Sequence, residues 1–131
     1  MTRCKTYGIF AALGLLLLSA ACSDQNKIVG TWKTDEVVSN GMVINETDTY
    51  LSDGKMTLKG TIKQGDKLTE FSGNGTWELK DRILTRTIRS STIPDLIPNG
   101  TTSTQTIVSI TDQSLTMRNS EGKTTTDRRV P

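Results

Sequence analysis

Three charged side chains have the types and spacing to form a chemical site inside a folded domain. Arg86 stands between Leu84 and Ile88 at strand spacing, so its guanidinium is expected on the same face as these apolar residues. A buried guanidinium needs a carboxylate or a ligand anion, because an unpaired charge in an apolar interior costs several kcal/mol. Glu46 and Asp48 are the carboxylates that could supply this partner.

The turn that follows these carboxylates decides the face on which they lie. A three-residue turn with a bulge at Ser52-Asp53-Gly54 places three polar side chains on the inner face, namely Glu46, Asp48 and Tyr50. With Arg86 they would form a polar inner patch that orients a ligand. A two-residue Asp-Gly turn buries the opposite face instead and leaves the carboxylates in water. Solvated carboxylates are the expectation, because charged side chains on a threonine-rich strand are more often exposed.

The composition disfavours catalysis. The 131 residues include no histidine and only two cysteines, which excludes most catalytic triads and nearly all zinc sites. Paired carboxylates such as Glu46 and Asp48 are the type that performs acid–base chemistry, but solvated pairs are commoner. We therefore expect no enzyme activity, no catalytic residues, no metal and no cofactor.

Residues 1–21 have the three parts of an export signal. Arg3 and Lys5 form a basic start, and an apolar run of eleven residues extends from Gly8 to Leu18. A membrane-spanning helix needs about 20 apolar residues, so the run predicts a signal peptide rather than a transmembrane anchor. Its removal leaves 14 basic against 14 acidic residues. Such a neutral chain is a poor candidate for binding nucleic acid.

Cys22 is the expected site of lipidation. The segment Leu18-Ser19-Ala20-Ala21-Cys22 resembles the lipobox of bacterial lipoproteins, with its leucine one place further from the cysteine than usual. The resemblance implies cleavage before Cys22 and two or three acyl chains, such as palmitate, which anchor a protein stably in a membrane. Residues 22–27 then form the acylated cysteine and its tether. Ser23 resembles a sorting pattern that implies the cell envelope, and the periplasmic face of the outer membrane in an organism with two membranes.

Seven turn signals divide residues 28–131 into eight short segments rich in threonine, and no segment shows a helical apolar stripe. This spacing predicts an all-β antiparallel sandwich or barrel. The signals are Asn40-Gly41, Asp53-Gly54, Gly65-Asp66, Lys80-Asp81, Ser91 to Gly100, Thr111-Asp112-Gln113 and Ser120-Glu121-Gly122.

Alternation is clearest between Lys55 and Lys63, where every second residue is apolar or glycine. If Gly65-Asp66 is a two-residue turn, the inner face continues through Phe71 and Trp77 in the next segment. Inner glycines give such aromatic side chains room in a small barrel.

Short motifs resemble those of lipocalins. The segment from Ile28 to Lys33 contains Gly30-Thr31-Trp32 and resembles the Gly-x-Trp motif that opens lipocalins. Tyr50 to Lys55 and Gly75 to Leu79 are similar to the remaining marks of short lipocalin-like domains on bacterial lipoproteins. The resemblance implies a small eight-stranded antiparallel up-and-down barrel over residues 28–131.

The resemblance also implies a structural core and a closed end. Trp32 is expected to pack across the closed end, with a late-strand arginine stacked on it. The candidates for that arginine are Arg118, Arg128 and Arg129. The expected structural core residues are Gly30, Trp32, Phe71 and Trp77.

The segment from Ser91 to Gly100 is more apolar than a free loop should be. Ile93, Leu96 and Ile97 are expected to plug one end of the barrel, or to form a lid over a ligand or a contact for a partner protein.

These features together predict a membrane-anchored lipoprotein whose barrel binds a small apolar or amphiphilic ligand. The expected ligand or partner contacts are Tyr50, Arg86, Ile93, Leu96 and Ile97. The alternative is a protein-contact module with a filled barrel, such as an envelope assembly factor or a hydrolase inhibitor.

Overall fold

Eight antiparallel strands close into one barrel in the computed structural model, which describes residues 24–38 and 41–131. Each strand pairs with the next along the chain, and β1 pairs with β8 to close the sheet. The predicted eight-stranded up-and-down barrel is therefore confirmed. The strands are β1 (Gly30–Val38), β2 (Met42–Tyr50), β3 (Lys55–Gln64), β4 (Lys67–Lys80), β5 (Ile83–Ser91), β6 (Thr102–Ile110), β7 (Ser114–Arg118) and β8 (Thr124–Val130).

The strand boundaries follow the turn residues of the sequence. Gly65 takes a positive φ of 60° between β3 and β4, and Gln64 pairs with Lys67 in the predicted register. The inner face of these strands buries Phe71 and Trp77, as the alternation indicates. Asn40, at the first predicted turn, lies outside the described residues.

One close approach between strands explains a glycine on the inner face. A Cβ at Gly75 would collide with the carbonyl of Thr87 on β5. The register between β4 and β5 shifts between Asn74 and Gly75, which brings the two backbones together at this bulge.

Trp32 and Arg129 close the end of the barrel at which the described chain begins. They are direct partners across β1 and β8, and the Arg129 guanidinium carbon lies 4.2 Å from the centre of the Trp32 ring. Arg129 also donates to the carbonyls of Val29 (3.0 Å), Lys27 (2.5 Å) and Asp112 (2.7 Å). Of the three candidate arginines, the structure therefore selects Arg129 as the one stacked on Trp32.

A short helix over residues 24–28 covers this closed end. Ile28 is fully buried, and its carbonyl accepts the indole N–H of Trp32 at 2.7 Å. Asp24 pairs with Arg82 at 3.3 Å. Residues 24–27, which the sequence assigns to the tether, belong to this helix, and Arg129 donates to the carbonyl of Lys27. Residues 1–21, Cys22 and Ser23 lie outside the described residues.

The turn between β2 and β3 is the bulged three-residue form. The N–H of Leu51 donates to Lys55 at 2.9 Å, and the N–H of Gly54 donates back to Leu51 at 3.2 Å. Gly54 takes a positive φ of 86°, as the last residue of such a turn requires. Tyr50 consequently pairs with Met56, and both side chains point inward. The expectation of solvated carboxylates on β2 is therefore wrong.

The loop between β5 and β6 lies at the opposite end of the barrel from the helix. Ile93 and Ile97 are half-buried and pack against the core, as the plug interpretation predicts. Leu96 points outward and keeps 65% of its surface exposed. The loop residues therefore divide between two environments.

We expect Trp32→Ala to lower the free energy of unfolding by about 3 to 5 kcal/mol, because it leaves a large cavity and removes the surface on which Arg129 stacks. Denaturant melting measures this change. Leu68→Ala is the control, since Leu68 is 60% exposed and should shift stability by less than about 0.5 kcal/mol. Equal shifts in the two variants would contradict this account of the closed end.

Candidate functional site

A cavity of about 180 Å³ lies inside the barrel toward the end that carries the turn between β7 and β8. Nine of its eleven lining residues are polar or charged, which is unusual for the interior of a small barrel. The lining residues are Thr34, Ile44, Glu46, Asp48, Arg86, Gln105, Met117, Asn119, Lys123, Thr125 and Asp127.

Arg86 and Asp48 form an ion pair in the wall of this cavity. Nη1 of Arg86 lies 2.8 Å from Oδ2 of Asp48 and 3.8 Å from Oε1 of Glu46. The hydroxyl of Tyr50 points at the same Asp48 oxygen, at 3.5 Å. Arg86 points inward because its neighbours Leu84 and Ile88 on β5 are buried in the core. The polar inner patch considered for the bulged turn is therefore the arrangement in the structure.

The carboxyl group of Asp48 is only 3% exposed, and this burial changes its acidity. Removal from water, together with the nearby negative charge of Glu46, raises the pKa of Asp48 from 3.8 to about 7. The positive charge of Arg86 lowers the pKa of Asp48, but by less than burial and Glu46 raise it. Burial likewise raises the pKa of Tyr50, so its hydroxyl stays protonated.

Asp127 lies on another wall of the cavity. Its side chain is 2% exposed, and its Oδ1 accepts the hydroxyl of Thr34 at 2.5 Å. Lys123 and Asn119 line the cavity from the turn that joins β7 to β8. The cavity thus has carboxylates on β2 and β8. It also has two basic groups, one from β5 and one from this turn.

Two buried acceptors in the lining have no hydrogen-bond partner in the described part of the chain. They are Oδ1 of Asp48 and Oε1 of Gln105. Buried polar atoms in folded proteins nearly always have a partner, so each of these atoms calls for a donor from outside the chain.

The structure separates the residues that the sequence predicts as ligand contacts. Arg86 lines the cavity, whereas Tyr50 is fully buried beneath it and contacts Asp48. Ile93, Leu96 and Ile97 are absent from the lining of this cavity.

Sequence reasoning missed Asp127 and Gln105. A signal for Asp127 exists, because residues two apart on a strand share a face. Once Arg129 is placed against Trp32, Asp127 and Thr125 must point inward as well. Gln105 carries no such local signal, because it stands among threonines and serines.

The described residues contain no helix long and apolar enough to cross a membrane. Within the same residues, no three side chains of His, Cys, Asp or Glu gather as a metal ion would require.

The raised pKa of Asp48 predicts that stability falls as pH rises. The folded state keeps the proton up to about pH 7, whereas the unfolded chain loses it near its ordinary value. Between these limits the folded state binds more protons, so the free energy of unfolding should fall by at most about 1.4 kcal/mol per pH unit.

Denaturant melts of the wild type and of Asp48→Asn between about pH 5 and pH 7 measure this slope. Asparagine cannot titrate, so the variant should show a clearly flatter profile. Parallel profiles would show that Asp48 is not the group responsible.

The fold of this chain has a counterpart among solved structures. No protein-family model and no curated protein matches the chain. A crystal structure of a lipocalin-like protein from Bacteroides uniformis ATCC 8492 is similar to it, with a TM-score of 0.56 and 18% sequence identity. The similarity covers 79% of this chain and 99% of that chain. At this identity the likeness concerns the fold alone, and the chain has a lipocalin-like fold of eight antiparallel strands closed in sequential order.

Proposed function

We propose that the barrel binds a small polar molecule in the cavity beside Arg86. The observation that carries this proposal is the lining, in which three carboxylates and two basic groups surround an open space. A barrel that serves only as a scaffold gains little from such groups, because replacing buried ion pairs by apolar side chains is often neutral or stabilising. The lipocalin-like fold supports ligand binding in general.

The polar lining changes the class of ligand that we propose. The sequence favours an apolar or amphiphilic ligand, as the lipocalin resemblance implies. An apolar molecule in this cavity could not donate a hydrogen bond to the two buried acceptors of the lining, Oδ1 of Asp48 and Oε1 of Gln105. A polar ligand supplies those hydrogen bonds and is therefore favoured.

The cavity volume limits the size of the bound group. A cavity of about 150 Å³ holds a benzene molecule, so about 180 Å³ accommodates a group of similar size. Lys123 and Asn119, from the turn between β7 and β8, would contact any part of the ligand that extends toward this end.

We propose binding rather than catalysis for this site. Asp48 has the raised pKa that many acid–base residues have. One of its oxygens is held by Arg86 and Tyr50, and catalysis also requires positioned nucleophiles or oxyanion donors. A protein-contact role is the second proposal, supported by the outward-pointing side chain of Leu96.

We also propose that an acylated Cys22 anchors the domain at the cell envelope. The helix over residues 24–28 packs on the closed end of the barrel, whereas the cavity lies toward the opposite end. An anchor two residues before Asp24 would therefore hold the closed end toward the lipid and direct the cavity toward the aqueous phase. This orientation fits a polar ligand.

The binding proposal predicts that protein purified gently from its own membrane carries a small polar molecule, which native mass spectrometry detects. Thr125→Phe should abolish the bound mass, because Thr125 lines the cavity. Thr124→Phe is the control, since Thr124 is the exposed neighbour on β8. Ligand-free wild-type protein, or the same bound mass in both variants, would contradict the proposal.

The anchoring proposal predicts that Cys22→Ser moves the protein from the membrane fraction to the soluble fraction, because serine cannot form the thioether to the lipid. Cys4→Ser should leave the protein in the membrane fraction, since Cys4 belongs to the predicted signal peptide. Immunoblots of the two fractions provide the measurement. Retention of Cys22→Ser in the membrane would refute lipidation at this residue.

A further inference from the structure

We propose that the cavity recognises a primary ammonium group, which donates hydrogen bonds to Oδ1 of Asp48 and Oε1 of Gln105. The inference rests on the proposed binding function and specifies the chemical class of the ligand. Two observations carry it, namely the unpartnered acceptors and the balance of charge in the lining.

The two carboxylate oxygens of Asp48 have different surroundings. Oδ2 accepts Nη1 of Arg86 at 2.8 Å and faces the hydroxyl of Tyr50, whereas Oδ1 has no partner in the described chain. The side chain is 3% exposed, so bulk water does not solvate Oδ1 freely. A buried carboxylate oxygen without a donor loses a charge-assisted hydrogen bond, which is the stronger kind.

Gln105 provides the second acceptor on a different wall of the same cavity. In the register between β5 and β6, Ser103 pairs with Arg86 and Gln105 pairs with Leu84. Gln105 therefore lies beside Leu84, the inward-facing residue that precedes Arg86 on β5. Its Oε1 is also buried and has no partner within residues 24–38 and 41–131. A ligand that satisfies both atoms needs at least two N–H or O–H donors.

The charge of the lining selects a cationic donor. Three carboxylates face two basic groups across the cavity, which leaves a net charge of minus one when all are ionised. A monovalent cation neutralises this excess, an anion increases it, and a neutral molecule leaves it unchanged. The groups concerned are Glu46, Asp48, Asp127, Arg86 and Lys123.

A primary ammonium also has the right number of donors. It carries three N–H donors and no acceptor, which is enough for Asp48, Gln105 and one further oxygen. A quaternary ammonium has the same charge but no N–H donor. Hydrogen bonding and simple charge attraction can therefore be separated by experiment.

Binding of an ammonium group should depend on pH through Asp48. Cation binding favours the ionised carboxylate, whose pKa in the free protein is about 7. Affinity should thus rise as pH increases through about 7 and level off above it, while the amine itself remains protonated. The charged and titratable groups that act on Asp48 are Glu46, Arg86 and Tyr50, and Asp127 and Lys123 line the same cavity.

The experiment is an NMR titration of ¹⁵N-labelled protein with four probes of similar size, namely n-butylammonium, tetramethylammonium, 1-butanol and butyrate. We expect n-butylammonium to shift the amides around Asp48 and Gln105 and to bind at least about tenfold more tightly than the others. Asp48→Asn should weaken the binding of n-butylammonium at least about tenfold, because asparagine keeps an acceptor but lacks the negative charge.

Two further variants keep the test decisive. Glu78→Gln removes a carboxylate from an exposed position on β4 and should leave affinity unchanged, which controls for net charge. Gln105→Leu removes the second acceptor without changing charge and should weaken binding about fivefold to tenfold. Gln105→Leu still tests the inference if Asp48→Asn fails to fold.

The outcomes distinguish this inference from the function on which it rests. Preference for butanol, butyrate or tetramethylammonium would overturn ammonium recognition. Absence of n-butylammonium binding would overturn it as well. If the purified wild type still carried a polar molecule in its cavity, the binding function would stand without this ligand class. If n-butylammonium did not bind and the cavity of the purified protein carried nothing, both proposals would fall.

Discussion

Arg86 and Asp48 form the ion pair around which the interior of this barrel is organised. Their 2.8 Å contact joins β5 to β2 across the inside of the sheet. Removing one partner of such a pair typically costs about 3 to 5 kcal/mol, because the other charge is left uncompensated. Charges of this kind are costly to surround with apolar side chains, and the cavity lies beside them. The apolar core includes Trp77, Phe71 and Trp32.

The two ends of the barrel are built from different chemistry. At the closed end, Arg129 stacks on the ring of Trp32 and donates to three backbone carbonyls. In the cavity, Arg86 is shared between Asp48 and Glu46, and two neighbouring acceptors have no partner among the residues that the structure describes. Two inward arginines thus have opposite roles. The difference lies in whether the surrounding polar atoms are satisfied within the chain.

Local signals in the sequence predict the strands and the turns, but not the face that β2 turns inward. Period-two alternation and turn residues act over a few positions, which is why the register of β3 with β4 follows from the sequence. The segment Ser52-Asp53-Gly54 is compatible with two turns, and these turn opposite faces of β2 toward the core. The choice depends on Trp77, whose indole donates to Leu51 at 2.8 Å and whose backbone N–H donates to Gly54 at 2.8 Å. These contacts lie more than twenty residues away, beyond any local pattern. Gln105 was missed for the same reason.

The burial that raises the pKa of Asp48 connects stability with recognition. Water would solvate an exposed carboxylate and weaken its attraction for any cation, whereas a desolvated carboxylate interacts more strongly. The same desolvation opposes ionisation, so the free domain is less stable when Asp48 is charged. Arg86 offsets part of that cost through one oxygen, whereas the other oxygen is buried and has no partner in the described part of the chain. A second donor at that oxygen would complete the hydrogen bonding that the chain itself leaves unfinished. Unsatisfied polar groups of this type are typical of functional sites, because a fully satisfied interior would be more stable but would offer a ligand no unpaired acceptor.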